Sequence, residues 1–243
     1  TQMKATGEVM SIGRTMEESL LKAMRSLETG VCHIYHKKFD DWSDAQLLEY
    51  IKDATDDRLY AIAQLIRNGI DLVLIYDNTK IDMFFLEKFK NIVEFERVVE
   101  AAPMDIEVLR EAKRMGFSDK FIGQLWGISQ QDVYRLREKN GLFPVYKMID
   151  TCASEFSSYV PYFYSTYEDE NESVVSDKEK IVVLGSGPIR IGQGVEFDYS
   201  TVHAIWSIRE AGYEAIIINN NPETVSTDYT TSDKLYFEPL MVE

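Results

Sequence analysis

The chain has 243 residues, of which 45% are hydrophobic, and its formal net charge is −15 at pH 7. This length predicts one or two domains with a real core, and the acidic balance disfavours a nucleic-acid surface. No apolar run approaches the roughly 20 residues of a membrane span, and the start has no signal-peptide pattern. Cys32 and Cys152 lie far apart without metal-binding spacing. This usage favours a reduced, cytoplasmic setting.

The first stretch, about 1–28, passes from an irregular start into one helix. Thr15 and Glu18 have the spacing of a capping box, which places the start of that helix. An apolar face follows at helical spacing and comprises Leu20, Leu21, Met24 and Leu27. Because the stretch has no opening strand, we expect it to be the end of a preceding domain.

The second stretch, roughly 29–150, is predicted to be helical throughout. Three helices are predicted to start at Ser43 (with Gln46), at Thr79 and at Asp105. Helices are predicted to end at Gly69 and at Gly116. The longest helix has apolar residues on more than one face: Ile81, Phe84, Phe85, Phe89, Ile92, Val93, Phe95, Val98 and Val99. Either a second subunit or neighbouring helices of the same chain would cover the excess.

Residues 118–142 have the outline of a helix-turn-helix. Gly127 would form the turn, and Ser129 would cap a second helix with Asp132 at its third position. The positions that would read bases are occupied by Gln130, Gln131, Tyr134 and Arg135. Two short helices packed inside an all-α domain are the alternative, and the acidic chain favours that alternative.

The third stretch begins after an acidic connection at 168–180, which is predicted to be solvated. A strand at 181–184, a helix at about 194–211, a strand at 215–219 and a short strand in "DKLYFEPL" predict an α/β unit. Such a unit needs more strands and helices to cover both faces of its sheet. We therefore expect the chain to be the middle of a longer polypeptide.

The sequence "VVLGSGPIRIGQGVEFDYS" carries the strand of that unit into a glycine-rich turn. A dinucleotide fingerprint needs a third glycine where Arg190 stands, and a Walker A loop needs lysine and a hydroxyl where Gln193 and Gly194 stand. The next strand ends in three asparagines, Asn219 to Asn221, and supplies no acidic residue for a ribose. The turn alone therefore predicts tight packing more than nucleotide binding. A stand-alone dinucleotide-binding protein and a helix-turn-helix regulator stay open as alternatives.

Four segments resemble the large chain of carbamoyl phosphate synthetase. "GSGPIRIGQGVEFDYSTVHA" and "NNNPETVSTDYTTSDKLYFEPL" are similar to the opening of its second synthetic half. "TGEVMSIGRTMEESLLKAM" is similar to the close of its first half. "PVYKMIDTCASEFSSYVPYFYSTYE" resembles the sequence between the two halves.

The resemblance implies three segments and a fold of class α plus α/β. Residues 1–28 would close the carboxyphosphate synthetic domain, and 29–172 would be a mostly helical oligomerisation domain. Residues 173–243 would be a partial Rossmann-like unit, the pre-ATP-grasp part of the carbamoyl phosphate synthetic domain. The parent would make carbamoyl phosphate from bicarbonate, ammonia and two ATP. Its product would feed arginine and pyrimidine synthesis, between which these residues do not discriminate.

The resemblance also implies residue roles. Arg190, Glu196 and Glu223 would border the end of an internal carbamate tunnel, with backbone N–H groups of Gly185, Gly187, Gly192 and Gly194 lining the glycine turn. An internal Arg190–Glu196 ion pair is the alternative, and Glu223 could instead cap a loop. His203 is expected to be a packed core histidine. His33 and His36 have too few partners for a metal site.

The implied ligands and partners belong mostly to the parent. It would use ATP with Mg or Mn and would receive ammonia from a glutamine amidotransferase small subunit. The present segment is expected to hold no catalytic residue, no metal and no cofactor, and to be inactive alone. We expect self-association through the helical domain, and neither nucleic acid nor membrane as a partner.

Overall fold

The computed structural model describes residues 8–152, 155–156, 159–188 and 194–241. These residues form two compact units. The helical unit comprises residues 15–24 and 30–142, and the α/β unit comprises 8–14, 25–29 and the described part of the chain from 143 onward. The predicted combination of a mostly helical domain with a partial Rossmann-like unit is confirmed. No helix within the described ranges is both long and apolar enough to cross a membrane.

Most of the helices before the sheet begin at a residue whose side chain caps the helix. In chain order they are α1 (Met16–Ser26), α2 (Asp44–Tyr50), α3 (Arg58–Arg67), α4 (Leu72–Thr79), α5 (Met83–Ala101), α6 (Ile106–Arg114), α7 (Asp119–Trp126) and α8 (Gln130–Lys139). Ser43 and Gln46 form the predicted capping box of α2. Gly116 ends α6 with a φ of +89°. A Cβ at Gly116 would lie 2.9 Å from the Cα of Glu18, so glycine also permits close packing on α1.

The prediction that Thr79 starts the longest helix is wrong. Thr79 ends α4, where its hydroxyl donates to the carbonyl of Ile75 at 2.8 Å. Lys80 then adopts a left-handed conformation, with a φ of 56°, and breaks the helix. Asp82 caps α5 instead, because its carboxylate accepts from the N–H of Phe84 at 2.8 Å. The separate helix α4 was absent from the prediction.

A buried ion network joins the last three helices of the helical unit. Asp119, at the start of α7, accepts a hydrogen bond from Lys113 Nζ at 3.0 Å and is bound by two nitrogens of Arg137. The three side chains are almost completely buried. Lys113 also donates to the carbonyl of Phe117, and Arg137 donates to the carbonyl of Leu142. The network therefore holds α6, α7 and α8 in fixed positions relative to one another. It also anchors the main chain at Phe117 and Leu142.

Asp119 is ionised because its partners outweigh its burial. Burial by itself would raise the pKa of Asp119, but Lys113 and Arg137 hold that pKa below its ordinary value of 3.8. A lowered folded-state pKa means that the network stabilises the fold fully above the unfolded value. This contribution is lost as the pH falls through the folded-state pKa.

The α/β unit contains a five-stranded sheet in the order β1-β2-β5-β4-β3. Its strands are β1 (Val145–Met148), β2 (Tyr162–Thr166), β3 (Lys180–Leu184), β4 (Glu214–Asn219) and β5 (Lys234–Phe237), with helix α9 (Gly194–Glu210) between β3 and β4. β1 and β2 are antiparallel, and the other neighbours are parallel. One core cluster includes Ile205 of α9 with Ala215, Ile217, Leu235 and Phe237 of the sheet. Helix α9 therefore covers one face, as expected of a Rossmann-like unit.

One prediction about the middle of the chain is wrong, and another is confirmed with an addition. The stretch 29–150 is not helical throughout, because β1 lies in it and pairs with β2. The connection at 168–180 is mostly exposed to solvent, as predicted, but it also makes hydrogen bonds to the sheet. The Glu172 N–H donates to the carbonyl of Tyr146 at 2.8 Å, and its carboxylate accepts from the N–H of Met148 at 2.7 Å. Ser173 shares a hydrogen bond with the hydroxyl of Tyr236 at 2.6 Å. These bonds hold the connection along β1 and β5.

We predict that Asp119→Asn destabilises the helical unit. The amide is nearly isosteric, but it removes the carboxylate charge that the buried Lys113 and Arg137 both bind, and breaking such a buried pair costs about 3–5 kcal/mol. Urea unfolding followed by circular dichroism at several pH values will measure this loss. The wild-type unfolding free energy should also fall more steeply than that of the variant below about pH 4.

Asp77→Asn is the matched control, because Asp77 pairs with Lys80 on the exposed surface of α4. An exposed pair contributes about 0–1 kcal/mol, so this variant should unfold close to the wild type. Equal effects of the two substitutions would contradict the structural role of the network.

Candidate functional site

The glycine turn follows β3 at the carboxyl edge of the sheet. The Gly185 N–H donates to the carbonyl of Ile218 at 2.8 Å, which continues the pairing of β3 with β4 by one residue. Gly187 is buried and has a φ of +72°, a conformation that favours glycine. Gly194 begins α9. Arg190 and Gly192 lie outside the described residues.

The three asparagines that end β4 are completely buried. Asn219 accepts from the N–H of Gly187 at 3.2 Å, so it supports the glycine turn. Asn220 binds a distant part of the chain, because its carbonyl accepts from the N–H of Met10 at 2.8 Å and its amide donates to the carbonyl of Ser26 at 3.4 Å. Asn219 and Asn220 therefore have a structural role at the candidate site: they hold the glycine turn and the residues near α1 in place.

Asn221 holds the loop that carries Glu223. The side-chain oxygen of Asn221 accepts from the N–H of Glu223 at 2.9 Å, in the manner of an Asx turn. The Glu223 side chain is exposed. It hydrogen-bonds to Glu8, and this bond, together with the like charge of Glu223, raises the pKa of Glu8. Two carboxyl groups from distant parts of the sequence thus meet beside the asparagines.

Four buried polar side-chain atoms around this turn have no hydrogen-bond partner in the described part of the protein. They are Ser26 Oγ, Ser186 Oγ, Asn220 Oδ1 and Asn221 Nδ2. Buried polar groups are normally paired, so unpaired donors and acceptors indicate a polar space that suits water or a small polar solute. The set contains an amide donor, an amide acceptor and two hydroxyls. Such uncharged groups form weak, reversible hydrogen bonds with a solute.

Asp198 joins the start of α9 to the loop after Glu223. It is buried and accepts from the N–H groups of Val225 and Ser226, at 3.0 and 3.2 Å. Glu196 stands in the first turn of α9 with its side chain exposed. Glu196 therefore lies two residues before Asp198, and Glu223 lies two residues before Val225, which binds Asp198. The roles predicted for Glu196 and Glu223 stay predictions.

Sequence reasoning missed Asn219, Asn220, Asp198 and Glu8. One signal was available for the first two, because polar residues at the end of a buried parallel strand lie at the edge where α/β sheets bind ligands. Asp198 and Glu8 had no comparable signal, since their partners are distant in sequence.

The prediction for His203 is wrong. His203 is exposed on α9, where its ring lies tilted against Tyr199 at 4.2 Å and edge-to-face with Trp206 at 5.1 Å, measured between ring centroids. In the helical unit His33 is buried and hydrogen-bonded to Glu96 at 2.9 Å. His36 caps a single 3₁₀ turn through the N–H of Lys38.

The predicted helix pair is present as α7 and α8, with Gly127 between them and Ser129 as the cap of α8. Gln130 and Tyr134 are half-buried, and Gln131 and Arg135 are exposed. Arg135 pairs with Asp132 at 3.4 Å, and Arg137 is buried against Asp119. Both arginines of α8 are thus already bound to carboxylates, which is unfavourable for contact with a phosphate backbone.

The helical unit has an exposed apolar surface on α4 and the start of α5. We call Val73, Leu74, Phe84 and Phe85 the α4/α5 patch; their exposed fractions are 57%, 43%, 51% and 42%. Neighbouring elements bury a different part of α5, namely Phe89, Ile92, Val93 and Val99. The residues that the structure describes thus cover only part of the excess apolar surface of this helix.

Two protein-family models match the sequence. The model for the oligomerisation domain of the carbamoyl-phosphate synthetase large chain matches residues 8–141. The model for the carbamoyl phosphate synthase preATP-grasp domain matches residues 177–243. The strands β1 and β2 lie between the two matched ranges.

Proposed function

The chain belongs to the carbamoyl-phosphate synthetase large-chain family, and on this premise we propose that it is the central segment of a glutamine-dependent synthetase. The parent is a ligase-type enzyme. It would make carbamoyl phosphate from bicarbonate, from ammonia released by a glutamine amidotransferase small subunit, and from two ATP. The observation that carries the proposal is the succession of the two matched domains in one chain.

The segment would link the two ATP-grasp halves of the parent. Residues 1–28 would close the first half, 29–172 would form the oligomerisation domain, and 173–243 would open the second half. Residues 8–14 and 25–29 belong to the same compact unit as the sheet. This grouping supports a linking role, because the end of the first half would help to build the start of the second.

The carboxyl edge of the sheet would line part of the carbamate route. Glu196 and Glu223 are exposed there, and unpaired amide and hydroxyl groups lie beside them. Arg190 would belong to the same border. Weak hydrogen bonds and like-charged carboxylates suit the passage of a small anion better than its retention, since conduction needs weak binding.

We predict that Glu196→Gln in the full-length synthetase uncouples ATP hydrolysis from product formation. The amide removes repulsion that keeps carbamate moving, so carbamate would dwell and hydrolyse before its phosphorylation. Carbamoyl phosphate formed per ATP should fall by about tenfold, equivalent to about 1.4 kcal/mol, while bicarbonate-dependent ATP hydrolysis continues. Coupled assays of ADP and carbamoyl phosphate will measure both.

Glu210→Gln is the control, because Glu210 is exposed at the opposite end of the same helix. It should leave the yield of carbamoyl phosphate per ATP unchanged. An unchanged yield in the Glu196 variant would contradict the lining role.

The present chain alone would neither bind nor hydrolyse ATP. ATP with Mg or Mn would be held by grasp modules elsewhere in the parent. The sequence after Gly192 supports this, because Gln193 and Gly194 replace the lysine and hydroxyl that clamp phosphates. Calorimetric titration with Mg-ATP should show no binding heat, and micromolar affinity would contradict the proposal.

The helical unit would carry self-association, as its family match suggests. A second copy of the chain would cover the α4/α5 patch, and a two-fold dimer is the simplest closed arrangement. Packing of the patch by other residues of the same chain is the alternative, although those described leave it exposed.

We predict that Phe84→Glu makes the chain monomeric. A carboxylate in the centre of an apolar contact loses its hydration without a partner, which disfavours the dimer. Light scattering over a concentration series will compare the variant with the wild type. Phe197→Glu is the control, because Phe197 is similarly exposed but lies on α9 of the α/β unit. A monomeric wild type, or equal effects of the two variants, would contradict the assignment.

A further inference from the structure

We infer that Asn219 is the positioning residue of the candidate site: its side-chain amide sets the first residues of the glycine turn, Gly185 to Gly187, relative to Asp198 near the start of α9. Asn219 need not touch a substrate in this role, because it acts through the backbone of the turn. The functional half of this inference rests on the proposed function, in which that turn borders the path of a small anion.

One side of the Asn219 amide supports the turn. Its Oδ1 accepts from the N–H of Gly187 at 3.2 Å and from the N–H of Asn220 at 2.9 Å. A Cβ at Gly185 would lie 2.4 Å from Asn219 Cγ, which no side chain can tolerate without displacement. Glycine at position 185 is therefore the condition under which the amide can lie against the turn.

The other side of the amide connects to α9 through Ser226. Asn219 Nδ2 donates to Ser226 Oγ at 3.4 Å. The N–H of Ser226 donates to Asp198 of α9 at 3.2 Å. A continuous chain of hydrogen bonds thus runs from Gly187 through Asn219 and Ser226 to Asp198. It thus connects a residue just after β3 with a residue near the start of α9.

The chemistry of this position requires an amide. The group must accept on one side and donate on the other, and asparagine is the shortest side chain that carries an acceptor and a donor on two separate atoms. Asn219 is completely buried at the end of β4. An aspartate there would place a charge without solvent in the wall of an anion path, and alanine would leave the N–H of Gly187 without this acceptor.

The structural test uses the present chain. Amide hydrogen exchange at Gly187, followed by NMR, should accelerate by at least about tenfold in Asn219→Ala. Ser226→Ala and Gly185→Ala should accelerate it in the same sense, because one removes the link to α9 and the other displaces the amide. These two variants keep the test decisive if Asn219→Ala does not fold.

Asn171→Ala is the matched control for the exchange measurement. Its amide also bridges two main-chain groups, the N–H of Tyr146 and the carbonyl of Ser173, but it lies against β1 at the other edge of the sheet. Exchange at Gly187 should be unchanged in this control. Equal exchange at Gly187 in all the variants would overturn the inference.

The functional test uses the full-length synthetase. Ser226→Ala should lower the carbamoyl phosphate formed per ATP, with bicarbonate-dependent ATP hydrolysis retained, which a general loss of folding would not do. If Glu196→Gln lowers this yield and Ser226→Ala does not, the positioning role is overturned. If Ser226→Ala lowers the yield and Glu196→Gln does not, the lining role of Glu196 fails and Asn219 keeps its role.

Discussion

The need to satisfy buried polar groups at the end of β4 governs the α/β unit. The strand ends inside the protein, and its last residues still present main-chain and side-chain hydrogen-bonding groups away from water. The carbonyl of Asn219 is reached by the N–H of Glu238, and that of Asn220 by the N–H of Met10. A residue from before α1 and a residue from after β5 therefore both bind the end of β4. The glycine turn, the Glu223 loop and α9 contact the same group of asparagines directly or through one further residue.

The elements with regular apolar patterns were predictable from sequence. β3, β4, β5 and α9 follow from short apolar runs and one glycine turn, and the caps at Ser43, Asp105 and Ser129 follow from local chemistry. β1 and β2 were missed because neither strand alternates clearly between apolar and polar residues. The boundary at Thr79 failed because two capping residues, Thr79 and Asp82, stand three positions apart and tertiary packing selects the second.

The site was predictable only in part. The glycine turn has a local signature, and it lies where the sequence placed it. The contacts of Asn219 and Asp198 are hydrogen bonds between residues about 30 positions apart, which no periodicity encodes. His203 shows the reverse error, because a histidine within an apolar helix segment suggested burial, whereas α9 turns that face to solvent. Local motifs thus indicate where the candidate site lies, whereas its contacts join residues that are distant in the sequence.

The pairing of β2 with β5 has a consequence for exchanging modules between proteins. β2 lies between the two family-matched ranges, yet it is hydrogen-bonded to β5 inside the second one, where the N–H of Leu235 also donates to the carbonyl of Pro161. A chimaera joined at the start of the second matched range would carry β5 without its neighbour. It would then expose a new sheet edge, which is prone to intermolecular pairing. A junction placed at residues 142–143, where the compact units divide, would transfer the strands together.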